Sequence, residues 1–307
     1  MKQQLSVLAI ALLLAQLFAV RTYAEDSRSK PYVNIAYDDY TLPGTNLLDV
    51  GRFEQLMEEL NRQIYKPPVN AYIGDSGQIV PGKIGSKLDR EKFAESFLNS
   101  LYGNRDEEIE LPQAAVYPRI DSELLSEIRE KLIGHYVTYY NASNKNRAHN
   151  IALAAKSINN TVVFPGELFS FNRVVGQRTA ERGYLRASII VKGEFSEGIG
   201  GGICQVSSTL YNATDKAGLK IVQRYSHSRS VPYVPPGRDA TVSWGGPDFA
   251  FKNQYNQPIL IRAYAMHGKM QVSLYSSDSI NYKPREVPNA GEIIPEEITV
   301  ETGSGVP

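Results

Sequence analysis

Cys204, the only cysteine in this chain of 307 residues, stands between a glycine cluster and a predicted helix. Positions 200–202 are all glycine, and the apolar residues after Cys204 recur at helical spacing as far as Gly218. A helix N-terminus carries partial positive charge and unpaired N–H groups, and both favour a thiolate over a thiol. Because the thiolate is the nucleophilic form, this placement predicts covalent chemistry at Cys204.

The glycine cluster offers a way to stabilise a reaction at that thiol. Gly200, Gly201 and Gly202 have no side chains, so their N–H groups could hold the oxyanion of a tetrahedral intermediate. Polar residues also share the face of Cys204 on the predicted helix. Three of them are predicted to bind substrate: Ser207, Ser208 and Tyr211.

Two other interpretations of this stretch stay open. Cys204 could be a small buried hydrophobic residue, which is a common setting for a free cysteine. The glycines could instead form a phosphate loop, although neither a Lys-Ser nor a Lys-Thr pair follows them. The glycines directly before the thiol favour the nucleophile over both alternatives.

A cysteine nucleophile usually needs a base, and the chain contains four histidines. His227 is the best placed of them, because it follows a predicted strand that returns from the cysteine helix. His149, in a polar loop before another helix, is the second candidate. His135 and His267 are expected to be structural or solvated.

A loop rich in proline and glycine supplies two further candidates. Asp239 could orient the histidine as the third member of a catalytic triad, and Arg238 could bind a substrate carboxylate through two parallel hydrogen bonds. An internal Arg–Asp pair or a turn cap is the alternative for these two residues. Arg178 is a further candidate for carboxylate binding.

Residues 1–24 have the pattern of an export signal. Lys2 gives a positive start, residues 5–20 are almost wholly apolar, and a small residue, Ala24, ends a plausible cleavage site. We expect export to the cell surface and no stable membrane span after cleavage, with an uncleaved anchor as the alternative. Since one cysteine cannot form a disulfide within an exported chain, Cys204 is expected to be reactive or to link two chains.

Composition limits the remaining functions. The formal net charge is zero and the chain has no long basic run, so we expect no nucleic-acid partner. A single cysteine and scattered histidines lack the close ligand pairs of zinc sites, so we expect neither a metal nor another cofactor. The sequence does not predict an oligomeric state.

The pattern of elements predicts two domains of the α+β class. Residues 32–119 combine two helices with a hairpin near 71–80 and form a small N-terminal α+β module. Residues 121–275 form a larger, β-dominant domain in which the cysteine-bearing helix packs on sheet. Residues 276–307 are polar and rich in Pro and Glu, which predicts a flexible tail.

Several sequence blocks carry a family resemblance in the expected order. They are residues 165–172 (PGELFSFN), 176–183, 200–213, 227–228 and 235–241 (PPGRDAT). Together these blocks resemble the VanW-domain family over roughly residues 136–275. Residues 32–119 more weakly resemble the peptidoglycan-binding module that often precedes VanW domains.

The resemblance implies an exported bacterial cell-wall protein whose partners are peptidoglycan stem peptides. Some VanW domains act as L,D-transpeptidases, and the family's cysteine and histidine map onto Cys204 and His227. The resemblance therefore implies acyl transfer through a cysteine thioester. The alternative is a non-catalytic peptidoglycan-binding or glycopeptide-resistance accessory protein. The Ser-His-Gly-Cys motif of YkuD-type L,D-transpeptidases is absent.

Overall fold

The structure is a computed structural model that describes residues 31–103, 108–191, 194–292 and 294. It divides into two compact units, one formed by residues up to 70 with 82–119, and the other by residues 71–81 with those from 120 onwards. The predicted signal at 1–24 and the end of the predicted tail lie outside the described residues. Within the described ranges, no helix has both the length and the apolar character that crossing a membrane requires.

The strands and helices alternate irregularly along the chain. The strands of the described ranges are β1 (Tyr32–Asn34), β2 (Tyr72–Ile73), β3 (Ile79–Val80), β4 (Gly85–Leu88), β5 (Glu108–Glu110), β6 (Gln113–Val116), β7 (Lys131–Tyr139), β8 (Thr161–Val163), β9 (Leu168–Ser170), β10 (Arg186–Val191), β11 (Glu194–Ile199), β12 (Lys220–Gln223), β13 (Ala250–Lys252), β14 (Ile259–Met266) and β15 (Lys269–Ser276). The α-helices of the same ranges are α1 (Val50–Ile64), α2 (Arg90–Tyr102), α3 (Ser122–Ile128), α4 (Lys145–Ile158), α5 (Phe171–Val175) and α6 (Ile203–Lys216). This mixture of helices and small antiparallel sheets confirms the predicted α+β class.

The first unit is held together by an aromatic core between α1 and α2. Phe53 of α1 packs against Phe93 and Phe97 of α2, with ring centroids 6.2 and 4.5 Å apart. Both helices begin at an aspartate, Asp49 or Asp89, whose side chain accepts a hydrogen bond from an N–H of the first turn. The short pairs β1–β5 and β4–β6 belong to the same unit.

The second unit is built on an antiparallel sheet of four strands in the order β7-β15-β14-β8. Helix α6 packs on β7 and β15, and α4 packs on β14 and on α6. The approach is close, because a Cβ added to Gly134 of β7 would lie 2.4 Å from the backbone oxygen of Ala213. A second sheet, β12-β13-β9, completes the core, and the pair β10–β11 leads into the glycine cluster.

The hairpin β2–β3 belongs to the second unit, whereas the sequence pattern places it in the N-terminal module 32–119. Asn160 receives a hydrogen bond from Ile73 N at 2.9 Å and returns one to Ile73 O at 3.0 Å. Ala71 and Ile73 are buried in one cluster with Leu125 and other residues of the second unit. The hairpin is therefore part of that unit's core, although it precedes half of the first unit in sequence.

The predicted flexible tail begins too early. Ile280 and Val287 are buried in the main core of the second unit. Pro288 O accepts a hydrogen bond from the Tyr136 hydroxyl at 2.8 Å, and Arg285 N–H donates to Lys216 O at 3.0 Å. Apolar residues spaced among polar ones thus fix the chain against the domain well beyond residue 276.

Candidate active site

The glycines before Cys204 let the backbone pass through a narrow gap between neighbouring elements. A Cβ at Gly201 would lie 2.5 Å from Ser188 O of β10. A Cβ at Gly202 would lie 3.0 Å from side-chain atoms of Arg147 and Ile151 on α4. Gly202 also has φ of +104°, which L side chains rarely adopt, and it is the N-cap of α6. Only glycine lets the helix begin at this point.

The backbone N–H groups of the glycine turn differ in their availability. The N–H of Gly200 donates to Leu185 O at 3.0 Å, so it is not free to hold an oxyanion as predicted. Among the described residues, the N–H groups of Gly201, Gly202 and Cys204 donate no hydrogen bond. These three groups, near the positive end of α6, are the ones that could face a developing negative charge.

Cys204 carries a free thiol at the start of α6, and the residue as a whole is half-buried. Its Sγ lies 3.6 Å from Val242 O and 3.8 Å from Thr241 Oγ1. His227 lies close enough to the thiol for its side chain to lower the pKa of Cys204. The structure therefore brings together the predicted nucleophile and the preferred histidine.

Asp239 holds His227 through two hydrogen bonds to one carboxylate oxygen. The backbone N–H and the ring Nδ1–H of His227 both donate to Asp239 Oδ2, each at 2.6 Å. The side chains of His227 and Asp239 are only 7% and 8% exposed. Since Nδ1 is occupied by Asp239, the Nε2 edge of the ring is the one left for the thiol. The three predicted residues thus form a continuous row, Cys204–His227–Asp239.

The pKa values of these three groups shift in mutually supporting directions. Burial raises the pKa of the Cys204 thiol, but the hydrogen bond and positive charge of His227 outweigh burial and leave that pKa below its ordinary value. Burial lowers the pKa of His227, but hydrogen bonds with Asp239 and Cys204 raise it to about 9. Burial raises the pKa of Asp239, and its bonds with His227 lower it overall. All three shifts favour the thiolate–imidazolium pair over the neutral thiol and imidazole.

Serines of α6 hold the segment 238–242, which carries Asp239, along the helix. The Ser207 hydroxyl donates to Ala240 O at 2.5 Å, and Ala240 N–H donates to Ser208 Oγ at 2.9 Å. Both serines are fully buried. These bonds fix the segment beside the first turns of α6, which is where Cys204 lies.

Ser207, Ser208 and Tyr211 therefore do not form the substrate-facing surface that the sequence predicts. The segment 238–242 covers the helix face that these residues share with Cys204. The Tyr211 ring is 7% exposed and lies between two guanidinium groups, those of Arg224 at 4.9 Å and Arg238 at 4.7 Å. The hydroxyls of Ser207 and Ser208 form hydrogen bonds within the domain, and the Tyr211 ring packs against two arginines.

Arg238 is also engaged within the domain. Its Nε donates to Asn212 Oδ1 and its Nη2 to Asp215 Oδ2, both at 2.8 Å. This arrangement matches the predicted alternative of an internal Arg–Asp pair, with Asp215 as the partner instead of Asp239. Carboxylate binding by Arg238 would require these bonds to break.

Arg178 has a different environment. Its Nη1 donates to Asn172 Oδ1 at 2.7 Å, and its guanidinium carbon lies 5.7 Å from the centroid of the Phe171 ring. Its Nη2 is buried and has no hydrogen-bond partner. Burial lowers the pKa of Arg178, while the negative charge of Cys204 acts in the opposite direction, which places the two side chains in one electrostatic neighbourhood.

The other histidines lie in separate surroundings. His149 Nε2 is 2.9 Å from Gly183 O, and His135 Nδ1 is 3.0 Å from the Ser273 hydroxyl on the neighbouring strand. His267 has φ of +52° in the turn between β14 and β15. Within the described part of the chain, no group of three or more His, Cys, Asp or Glu residues could hold a metal ion.

Sequence reasoning missed three residues that contact the thiol or lie near it. Thr241 and Val242 line the thiol, and the buried Tyr233 is close enough for the charge of Cys204 to raise its pKa, after burial as the larger cause. Thr241 and Val242 directly follow Asp239 and Ala240, so their position beside a predicted site residue could have marked them. Nothing in the local pattern marks Tyr233, because its approach depends on how the proline-rich loop folds back.

Comparisons with known proteins cover the part of the chain that contains this site. The sequence profile of the family described as VanW like protein matches residues 146–275, which include all three residues of the row. The chain is 56% identical to the protein YoaR of Bacillus subtilis (strain 168) over 282 residues, covering 91% of this chain and 92% of that protein.

A second relative is the vancomycin B-type resistance protein VanW of Enterococcus faecalis (strain ATCC 700802 / V583). The identity is 32% over 135 residues, covering 42% of this chain and 49% of that protein. No solved structure gives a significant match to the chain. On its likeness to YoaR over nearly the whole length and on the family profile, the chain belongs to the VanW-like family.

Proposed function

We propose that this protein transfers acyl groups between peptidoglycan stem peptides through a thioester at Cys204. The observation that carries the proposal is the row of Cys204, His227 and Asp239 at the start of a helix, in which Asp239 holds His227 at 2.6 Å and His227 lowers the pKa of the thiol. The Enterococcus faecalis relative is named for resistance to vancomycin, an antibiotic that acts on the cell wall. That name favours a cell-wall substrate over other peptides.

In the first half-reaction, the Cys204 thiolate attacks the carbonyl carbon of the third residue of a stem tetrapeptide. A C–S bond forms, and the carbonyl oxygen takes up negative charge that backbone N–H groups such as those of Gly201 and Gly202 stabilise. The C–N bond to the terminal D-alanine then breaks as the His227 imidazolium gives its proton to the departing amine. D-Alanine leaves, and the tripeptide remains as a thioester.

In the second half-reaction, neutral His227 accepts a proton from an amine of a neighbouring stem peptide as that amine attacks the thioester. A new C–N bond forms, the C–S bond breaks, and Cys204 departs as a thiolate beside the restored imidazolium. With water as the acceptor, the product is a tripeptide acid and the reaction is that of a carboxypeptidase. Either outcome requires an extracytoplasmic location, for which residues 1–24 would act as the export signal.

The test is incubation of the purified protein with a disaccharide tetrapeptide, beside a Cys204→Ala variant, with the products identified by mass spectrometry. We expect cross-linked dimers or tripeptides from the wild type alone, and an enzyme adduct with the mass of the tripeptide acyl group. The ratio of dimer to tripeptide separates transpeptidase from carboxypeptidase activity. If folded wild-type protein gives no product and no adduct, the non-catalytic peptidoglycan-binding function replaces this one.

A further inference from the structure

Several guanidinium groups lie near the candidate active site, and those of Arg147, Arg224 and Arg238 donate hydrogen bonds within the domain. Arg238 binds Asn212 and Asp215, and the Nη2 of Arg147 donates to Gln205 Oε1 at 2.7 Å. Arg178 differs, because its Nη2 is buried without a hydrogen-bond partner. A buried donor left unpaired is costly, so a native site that keeps one is expected to have a use for it.

Arg178 lies against the turn that leads to the thiol. A Cβ at Gly200 would be 3.2 Å from Arg178 Cβ, so the arginine packs directly on the glycine turn. Its partner Asn172 also donates to Ser243 O at 2.9 Å and to Pro247 O at 3.0 Å. The loop 243–247 follows Val242, whose carbonyl oxygen contacts Cys204 Sγ. Arg178 thus packs on the turn that precedes the thiol and is linked through Asn172 to the loop that follows Val242.

A second buried polar atom without a partner belongs to the same neighbourhood. It is the hydroxyl of Tyr184, whose ring is 2% exposed and whose ionisation responds to the charge of Arg178. The side chain of Ser157 affects the pKa of Tyr184, but its own hydroxyl proton is donated to Leu153 O at 3.0 Å. Among the described residues, these two atoms are the buried side-chain donors that lack a partner.

We propose that Arg178 binds the free carboxylate of the last residue of the donor peptide and so confines the reaction at Cys204 to the terminal peptide bond. This inference rests on the proposed function. In a peptide, that carboxylate is separated from the preceding carbonyl by only one amide nitrogen and one α-carbon. A carboxylate at the guanidinium therefore presents that carbonyl to a neighbouring thiolate. The guanidinium also offsets the repulsion between the two negative charges.

The test measures binding without catalysis. In a Cys204→Ala background, calorimetry compares a disaccharide tetrapeptide that ends in a free acid with the same compound ending in a primary amide. We expect the acid to bind at least about tenfold more tightly, which is the effect of one charge-assisted hydrogen bond. Equal affinities, or no binding of either compound, would overturn the proposal without any arginine variant.

Two substitutions in the same background then assign the effect. Arg178→Gln should bring the acid and amide affinities together. Arg173→Gln, which removes the same charge from an exposed side chain of α5, should keep the difference. Far-ultraviolet circular dichroism and thermal melting check that both variants fold. A preference for the acid that persists in folded Arg178→Gln would contradict the proposal.

This design separates the inference from the proposed function. If the wild-type protein forms products from the tetrapeptide but the acid and amide bind alike, acyl transfer stands and the role of Arg178 falls. If the acid is preferred through Arg178 but no product or adduct forms, the carboxylate site stands in a protein that binds peptides without cleaving them.

Discussion

Burial by itself would make Cys204 a weak nucleophile, because removing a thiolate from water raises the pKa of the thiol. The hydrogen bond and charge of His227 reverse that effect, and His227 in turn depends on Asp239. Formation of the Cys204 thiolate therefore depends on protonated His227, and the pKa of His227 depends on Asp239.

Asp239→Asn tests the charge behind the histidine. The amide oxygen of asparagine can still accept the two hydrogen bonds that reach Oδ2, but the negative charge is lost. The pKa of His227, raised to about 9 in the wild type, should fall towards its ordinary value. We expect the basic limb of the pH–rate profile for tetrapeptide turnover to move from about pH 9 towards neutrality.

Asp278→Asn is the matched control, because it removes the same charge from an exposed side chain of the same unit. Its pH–rate profile should coincide with that of the wild type. An unchanged basic limb in Asp239→Asn would show that the carboxylate does not set the charge of His227.

At the scale of elements, α6 carries the nucleophile and also holds the segment 238–242 through hydrogen bonds from its serines. Ser208 accepts the Ala240 N–H, so Ser208→Ala leaves a buried N–H without a partner. We expect a loss of about 1–3 kcal/mol in the free energy of unfolding. Denaturant titration monitored by fluorescence of Trp244, the only tryptophan of the chain, measures it.

Ser143→Ala is the control, since Ser143 is exposed, and it should change that free energy by less than about 0.5 kcal/mol. The reactivity of Cys204 gives a second readout, because release of the segment 238–242 should also displace Asp239. If Ser208→Ala has the stability and reactivity of the wild type, Ser208 does not hold the segment 238–242 in place.

Local pattern was enough to predict the cysteine helix and its histidine. The glycine run and helical spacing determine where α6 starts, and the strand after it determines where His227 returns. Local pattern was not enough for Ser207 and Ser208. A serine on a polar helix face gives the same sequence pattern whether that face meets water or a loop from elsewhere in the chain. Here the covering loop lies about thirty residues further along, as the pair Ser208 and Ala240 shows.

At the scale of the whole molecule, the second unit is completed by a hairpin that precedes it in sequence. Ile73 is 5% exposed and packs with Leu125, Ile128 and Leu260. Ile73→Ala should therefore destabilise the second unit by about 2–5 kcal/mol. Because Trp244 lies in that unit, its fluorescence transition should shift to lower denaturant.

Val222→Ala provides the comparison, because Val222 is 52% exposed on β12 and should shift the transition by less than about 0.5 kcal/mol. A Trp244 transition that Ile73→Ala leaves in place would assign the hairpin to the first unit, as the sequence predicts.

The unit to which the hairpin belongs could not be predicted from sequence for a physical reason. The hairpin residues 71–81 are followed by residues 82–119 of the first unit, so adjacency along the chain assigns them to the wrong partner. Only the contacts of Ile73 with Asn160 reveal the correct one. The tail is similar, since a few buried residues such as Ile280 decide its position within an otherwise polar stretch.

The charge state of Cys204 is the central claim, and the pH dependence of its alkylation by iodoacetamide measures it most directly. In the wild type the thiol pKa is lowered, so the alkylation rate should begin to fall at a lower pH than it does for an ordinary thiol, whose pKa is near 8.5. In His227→Gln the contribution of His227 is lost and only the smaller effects of Val242 and Thr241 oppose burial, so the pKa should rise and the rate at pH 6 should fall at least about tenfold. His149→Gln, which alters an exposed histidine, should match the wild type. A wild-type profile centred near pH 8.5, or one that His227→Gln leaves unchanged, would contradict the thiolate–imidazolium pair and with it the proposed acyl transfer.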